Sequence, residues 1–219
     1  MNIKILRRVL EKNESAATEN RQWFGRHHIT CINLLGGAGS GKTAILEALL
    51  PTLKDELHCA VLEGDLATTR DAERIAALDV PVIQLLTDGG CHLTATHVQA
   101  ALRELPTDSM DLLFIENVGN PICPANFDLG EHLRVSVLSV AEGDDKPSKY
   151  PLLFRDATMA LITKVDLLPH VSFDLAQAQA DLRRLNPSIK IIETSARTGR
   201  GMNAVSAWII EHALSLSVI

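Results

Sequence analysis

A chain of 219 residues with a formal net charge of −6 has room for one domain with a sizeable core, or for a domain carrying an arm. Its acidic balance offers no basic field for nucleic acid. It holds no apolar run of about eighteen residues and no signal-peptide pattern, so a soluble cytoplasmic protein without a membrane partner is expected. The four cysteines lack the short spacing of a disulfide framework, which makes each of them either core or ligand.

Residues 1–27 read as an N-terminal helical arm that packs on the domain or on a partner. Ile3, Leu6, Val9 and Leu10 fall at helical spacing, and the polar residues that follow, from Glu11 onward, offer little to a core. Residues 28–219 read as a single α/β domain. Strand-like runs at 29–35, 58–62, 80–86, 111–115, 135–140, 157–162 and 188–193 alternate with helical stretches at 44–50, 93–105, 172–185 and 202–214. Such alternation predicts right-handed crossovers and a mostly parallel sheet covered on both faces, a three-layer arrangement. A nucleotide would lie at the carboxyl ends of the strands.

Between the first strand and its helix stand Gly36, Gly37, Ala38, Gly39, Ser40, Gly41, Lys42 and Thr43, which fit the P-loop pattern G-x-x-x-x-G-K-[S/T]. The glycines let successive N–H groups turn inward toward phosphate oxygens, and the helix that begins at Thr43 and Ala44 adds the positive end of its dipole. Lys42 would reach the β- and γ-phosphates, and the Thr43 hydroxyl would ligate Mg²⁺. The fourth strand ends in Glu116, with Gly119 three residues on. That carboxylate can hold Mg²⁺, and the Gly119 N–H can sense a γ-phosphate. Asn120 stands where small G proteins of the Ras type carry a catalytic Gln; its amide is shorter, so slow intrinsic hydrolysis is expected.

Thr163-Lys164-Val165-Asp166 resembles the guanine-reading N-K-x-D motif with Thr for Asn. An Asp carboxylate accepts from the two N–H groups on guanine's edge, a pair adenine lacks, and the Lys stem packs over the base. Asp166 therefore argues for GTP over ATP and against a kinase. Ser195, Ala196 and Arg197 match the loop that closes over the base.

The cysteines divide into two kinds. Cys31 and Cys59 lie inside strand-like runs and read as small core residues. Cys91 and His92 follow Asp88-Gly89-Gly90 at a loop-to-helix transition, and Cys123 comes four residues after Gly119. Two thiolates and an imidazole suit Zn²⁺ or Ni²⁺ and leave a coordination position open; packed thiols and a surface His are the other reading of the same spacing.

Three segments carry a family likeness: Gly90-Cys91-His92-Leu93, residues 113–130, and Glu142-Gly143-Asp144-Asp145-Lys146-Pro147 with Lys149-Tyr150-Pro151. They resemble the hydrogenase-maturation GTPases of the HypB family, and the likeness runs from about Ile29 to the end of the chain. It implies a GTP-hydrolysing nickel chaperone that works with a HypA-like protein on the [NiFe]-hydrogenase large subunit and dimerises when GTP binds. It also implies that Cys91, His92 and Cys123 lie at the dimer interface. Asp71 would join Thr43 and Glu116 around Mg²⁺, with Asp65 a second candidate, and Lys149 would reach the other subunit's nucleotide. The chain departs from the family at Thr163, at Thr94 and Thr96 where Asp and His are usual (His97 falls one position late), and at Asp88-Gly89-Gly90 in place of a lysine-containing approach. It also lacks the N-terminal Cys-x-x-Cys-Gly-Cys and His-rich stretches, so tight nickel storage is not expected. Two alternatives remain open: a metal-independent GTP switch that recruits a partner, and a GTPase maturing another metalloenzyme such as urease. The urease relatives carry Cys-Pro-His, whereas Cys91 and His92 are adjacent here.

Overall fold

The computed structural model describes residues 3–65, 68–86 and 90–216, with side chains from residue 11 onward except those of 214 and 216. Its strands are β1 (Thr30–Gly36), β2 (Cys59–Asp65), β3 (Val82–Leu86), β4 (Leu112–Glu116), β5 (Leu133–Ser139), β6 (Met159–Thr163) and β7 (Lys190–Glu193). They form one sheet in the order β3-β2-β4-β1-β5-β6-β7, and every pairing is parallel. The helices are α1 (Ile3–His27), α2 (Lys42–Leu53), α3 (Arg70–Ala76), α4 (Ala95–Leu102), α5 (Lys146–Lys149), α6 (Pro151–Arg155), α7 (Leu175–Leu185) and α8 (Met202–Leu216). Among the described residues no helix is long and apolar enough to cross a membrane.

Period-two alternation sends each strand's side chains to opposite faces. Ile32, Leu34, Val61, Leu112 and Phe114 pack with Leu46, Leu49 and Leu50 of α2 and Val205 and Ile209 of α8. Their strand neighbours Cys31, Ala60, Leu62, Leu113 and Ile115 pack on the other face with Phe24 of α1 and Val98 of α4. On the β5–β6 side that second face is covered by Phe154 and Leu182, from α6 and α7. Burying both faces explains why these strands read as unbroken apolar runs. The expected seventh strand starts two residues late, at Lys190. Pro187 has no N–H, and Asn186 Oδ1 accepts from the backbone N–H and hydroxyl of Ser188, 3.1 and 2.8 Å away, which turns the chain before the ladder begins.

β1 sits between β4 and β5: its own connection runs to β2 on one side, and the chain later crosses from β4 to β5 on the other. This is the switch point at which an open parallel sheet leaves a crevice beyond its carboxyl ends. The P-loop follows β1 directly into that crevice.

α1 is a helix packed on the domain, as its spacing predicts, but its polar stretch is not idle. The side chains of Ile3, Leu6, Val9 and Leu10 lie outside the described ones, but the polar half of the helix contributes to the interior: Asn13, Ala16, Ala17, Asn20 and Phe24 are buried. Two carboxamides explain why. Asn20 Nδ2 donates to the carbonyls of Ala95 and Leu129 at 2.9 and 2.8 Å. Asn13 accepts from the Ala95 N–H at 2.9 Å and donates to the Asp128 carbonyl at 2.7 Å. The helix thus supplies partners that the start of α4 and the 128–130 turn lack in their own backbone. Arg21 adds a two-pronged ion pair to Asp128 at 2.8 and 2.9 Å. Asn20→Ala removes two buried hydrogen bonds and leaves the Leu129 carbonyl short of a donor; it is expected to cost about 2 kcal/mol, read as a lower denaturation midpoint. An unchanged midpoint would show that α1 merely rests on the surface.

Candidate functional site

A cavity of about 410 Å³ opens at the carboxyl ends of β1, β2 and β4. The P-loop forms one side. Glu63, Asp65, Asp71, Glu116 and Gly119 form the other, and Lys164 lies at its rim. The Lys42 ammonium is almost buried and lies 3.3 Å from the Gly37 carbonyl and 3.5 Å from that of Gly36. Burial lowers its pKa, opposed by the nearby Glu116 carboxylate. The loop therefore holds a cation within reach of where phosphate oxygens would enter.

The Thr43 hydroxyl donates to Glu116 Oε1 at 2.7 Å. Sequence reading missed Glu63, whose place becomes visible only in the register: it lies beside Glu116 across β2 and β4. Glu63 and Glu116 are 2 % and 5 % exposed, and among the described residues the Oε2 atom of each has no hydrogen-bond partner. Desolvation pushes Glu63 up to about 8, with the Glu116 charge adding to it. Desolvation likewise pushes Glu116 up to about 7, against the pull of Lys42 and the Thr43 bond. An all-oxygen donor set with unpartnered buried carboxylate atoms fits a hard divalent cation. Asp65 and Asp71 line the same cavity. Asp65 accepts from the Thr68 N–H and hydroxyl, and Asp71 pairs with Arg74 at 2.8 Å.

These carboxyls carry a pH signature. Their folded pKa values exceed the roughly 4.3 of an unfolded Glu, so the folded protein binds more protons than the unfolded chain. Its stability is then greatest at low pH within this window and is lost as pH rises toward about 8. Without nucleotide and Mg²⁺, the unfolding temperature is expected to fall by a few degrees between about pH 6 and about pH 8, and Glu63→Gln to flatten most of the fall. A flat wild-type profile would contradict the assignment.

Thr163 and Lys164, expected beside the base, reach back to the P-loop. The Thr163 hydroxyl donates to the Ser40 carbonyl at 2.6 Å, so Thr preserves the tie to the loop that an Asn would make. Lys164, at φ 59°, donates to the Gly39 carbonyl at 2.6 Å. Asp166 accepts from the Ser195 hydroxyl at 2.7 Å, and that same oxygen accepts the Thr198 N–H at 3.2 Å. Ala196 is half-buried beside this pair and Arg197 is exposed. Lys149 does not line the cavity of its own chain; its ammonium lies 5.7 Å from the centre of the Tyr150 ring, beside Pro121, Ile122 and Leu152.

Cys91, His92 and Cys123 come together, one ligand atom from each lying within 4.8 Å of the others. Cys91 Sγ is 3.5 Å from His92 Nδ1, and the imidazole stacks on Phe127 with centroids 3.8 Å apart. Hydrogen bonding to Cys123 raises the Cys91 pKa, whereas burial and then His97 lower that of His92. The lowered imidazole pKa favours the neutral ring that a metal needs. Asp88 and Gly89, on the approach to Cys91, lie outside the described residues. Thr94 caps α4, and the His97 ring accepts the Thr94 N–H in return, so His97 is engaged in the helix start. Cys31 and Cys59 are buried in the core with raised pKa values.

Two neighbours of Gly119 matter. A Cβ on Gly119 would come within 2.9 Å of Ala38 Cα and 3.2 Å of its nitrogen, so only glycine allows the strand-end segment to touch the P-loop. Asn120, which stands in the place of a catalytic Gln with an amide expected to be short for the attacking water, turns its Oδ1 toward its own chain: it accepts the N–H groups of Ile122 at 2.9 Å and Cys123 at 3.4 Å. With Pro121 next in the chain, the Asn closes a turn instead. Its amide shapes the approach to Cys123.

A family model described as CobW/HypB/UreG, nucleotide-binding domain, matches residues 30–193. The chain is 49 % identical over 201 residues to the hydrogenase maturation factor HypB of Escherichia coli (strain K12), covering 92 % of this chain and 69 % of that protein. Among solved structures, HypB from Archaeoglobus fulgidus superposes with a TM-score of 0.88 at 36 % identity, covering 93 % of this chain and 100 % of that one. HypB from Helicobacter pylori, solved in complex with nickel, gives 0.87 at 33 % identity, covering 93 % and 96 %. A seven-stranded parallel sheet with a P-loop at its switch point, a Cys–His–Cys cluster that includes Cys123 four residues after Gly119, and this degree of identity together place the chain in the HypB family of hydrogenase maturation factors.

Proposed function

We propose that the protein is a cytoplasmic GTP-hydrolysing metallochaperone that carries Ni²⁺, with Zn²⁺ as competing cargo, toward [NiFe]-hydrogenase. The observation that carries this reading is the placement of the cargo ligands: Cys91, His92 and Cys123 cluster immediately beyond Gly119, whose backbone touches the P-loop. The nickel complex of the Helicobacter pylori relative supports the choice of metal. Thr43 and Glu116, with Asp65 and Asp71 beside them and Glu63 behind, would hold Mg²⁺, which neutralises charge on the β- and γ-phosphates when bound. Lys42 supplies the matching protein charge, and Asp166 with Ser195 and Lys164 holds guanine. GTP binding brings two chains together with the metal ligands and Lys149 at the interface, and a HypA-like protein and the hydrogenase large subunit act downstream. With Asn120 turned toward Cys123, hydrolysis by the lone chain is slow and rises on dimerisation or partner binding.

The test is to titrate reduced protein with Ni²⁺ and Zn²⁺ in GDP and again in a non-hydrolysable GTP analogue, following thiolate-to-metal absorbance together with mass. Affinity that differs between the nucleotides, with dimer formed in the GTP analogue, is expected. Metal binding equal in both states would sink the gated-chaperone reading. No cysteine-dependent binding at all would leave a GTP switch that recruits a partner without metal.

A further inference from the structure

From the wall of the cavity, which Asn117 helps to line, two buried carboxamides run inward, and neither phosphate chemistry nor metal ligation uses them. Asn117 follows Glu116 directly, and its N–H donates to the Leu34 carbonyl at 3.1 Å, extending the β4–β1 ladder by one rung. Its side chain is 1 % exposed. Oδ1 accepts two backbone N–H groups, that of Val118 at 3.0 Å and that of Leu93 at 3.2 Å. Nδ2 donates to Asn33 Oδ1 at 3.4 Å, and Asn33 donates onward to Glu131 Oε1 at 3.2 Å. Glu131 is itself fixed by Arg134 Nε at 2.5 Å and the Leu129 N–H at 2.7 Å.

A carboxamide offers two acceptor lone pairs, and Asn117 spends both on backbone donors, one from the next residue and one from 24 residues away. Asn33, anchored by the Glu131–Arg134 pair, holds the amide plane in the one orientation that makes this possible. Leu93, the residue gripped from the far segment, is fully buried. Its side chain covers Gly64, where an added Cβ would lie 2.8 Å from Leu93 Cγ; a larger residue at 64 would push this leucine out of place. Leu93 adjoins His92. The Cys91–His92 turn therefore hangs from a residue that is pinned to the end of β2 and hydrogen-bonded to the segment carrying Glu116 and Gly119.

We infer that Asn117 is a positioning residue that transmits the placement of the Glu116–Gly119 segment to the Cys91–His92 half of the metal site. This rests on the nucleotide–metal linkage proposed above. Asn120 grips the Cys123 half from the same short segment, so a shift of residues 117–119 toward a γ-phosphate pulls on both halves at once. Removing the carboxamide of Asn117 frees one half. The ligands then stay present, and their response to nucleotide is lost.

The experiment compares Zn²⁺ affinity in GDP and in a non-hydrolysable GTP analogue for wild type and Asn117→Ala. Wild type is expected to differ between the two states by roughly 5- to 150-fold, the usual span of site–site coupling. Asn117→Ala is expected to bring the ratio below about 2-fold while still binding Zn²⁺ through its cysteines. A variant that keeps the wild-type ratio overturns the role of Asn117 and leaves the chaperone reading standing. A wild-type ratio of one removes the linkage itself. A merely structural role would shift both affinities together and leave the ratio alone. If the variant does not fold, amide hydrogen exchange at Leu93 in wild type decides: protection that changes between the two nucleotides is expected, and equal protection overturns the assignment.

Discussion

Lys42→Ala is expected to lower single-turnover GTP hydrolysis by about 10³-fold, close to 4 kcal/mol of transition-state stabilisation. The reason lies in the surroundings of the ammonium. It is 6 % exposed and is held by loop carbonyls rather than by an ion pair, so its charge is available in a site where water screens little. Charge that develops on the β–γ bridging oxygen meets a cation already desolvated and oriented. Lys42→Arg is not expected to restore the rate, because the guanidinium's planar fork cannot take the place of a compact ammonium inside the loop's curl. Single-turnover assays at saturating GTP, with GDP affinity measured in parallel, check the prediction; a loss below about tenfold would mean that the loop's N–H groups carry most of the charge stabilisation.

The second large effect concerns the thiols. Cys91→Ala and Cys123→Ala should each weaken Ni²⁺ and Zn²⁺ binding by at least about 100-fold, since altering even a ligand's hydrogen-bond partner commonly costs 10- to 100-fold. Each removes one of three ligand atoms brought within 4.8 Å, and the remaining pair cannot enclose the ion. Cys31→Ala and Cys59→Ala supply the contrast. Both side chains are buried in apolar surroundings, so these changes should cost about 1 kcal/mol of stability and leave metal affinity unaltered. Competition with a chromophoric chelator at fixed pH separates the two pairs. Equal effects from all four would show that the metal is held by a different set of groups.

The P-loop, the Thr163–Asp166 segment and the alternation of strands and helices were legible because each is local: a pattern of neighbours and a hydrophobic period suffice. Glu63 was not, because inside an apolar run one carboxylate says nothing until β2 is aligned with β4, more than fifty residues on. Asn117 hides for a similar reason, its partners Asn33 and Leu93 lying 84 and 24 residues away. Asn13 and Asn20 looked like surface residues of an arm, since a carboxamide is polar wherever it sits; only the bare backbone ends of α4 and the 128–130 turn make them interior. Asn120 is legible as a position, but the turn its Oδ1 makes toward the N–H groups of Ile122 and Cys123 is not, because comparison with other nucleotide switches says nothing of the residues that follow. For Cys91, His92 and Cys123 the residue types pointed to a metal but left packed thiols equally open, and family likeness decided between them, because the 30 residues between His92 and Cys123 carry no spacing rule.

The division of the cysteines has a practical side. Thiol reagents attack the exposed thiolate and pass over a buried, protonated sulfur, and Cys31 is fully buried while burial pushes Cys59 up to about 12. In the native protein a maleimide dye should therefore report on Cys91 and Cys123 alone. A bound ion shields that pair, and its departure uncovers them. The chain thus carries its own loading gauge, readable by mass in a crude mixture, with two silent sulfurs as the internal standard that appears only when the fold is lost.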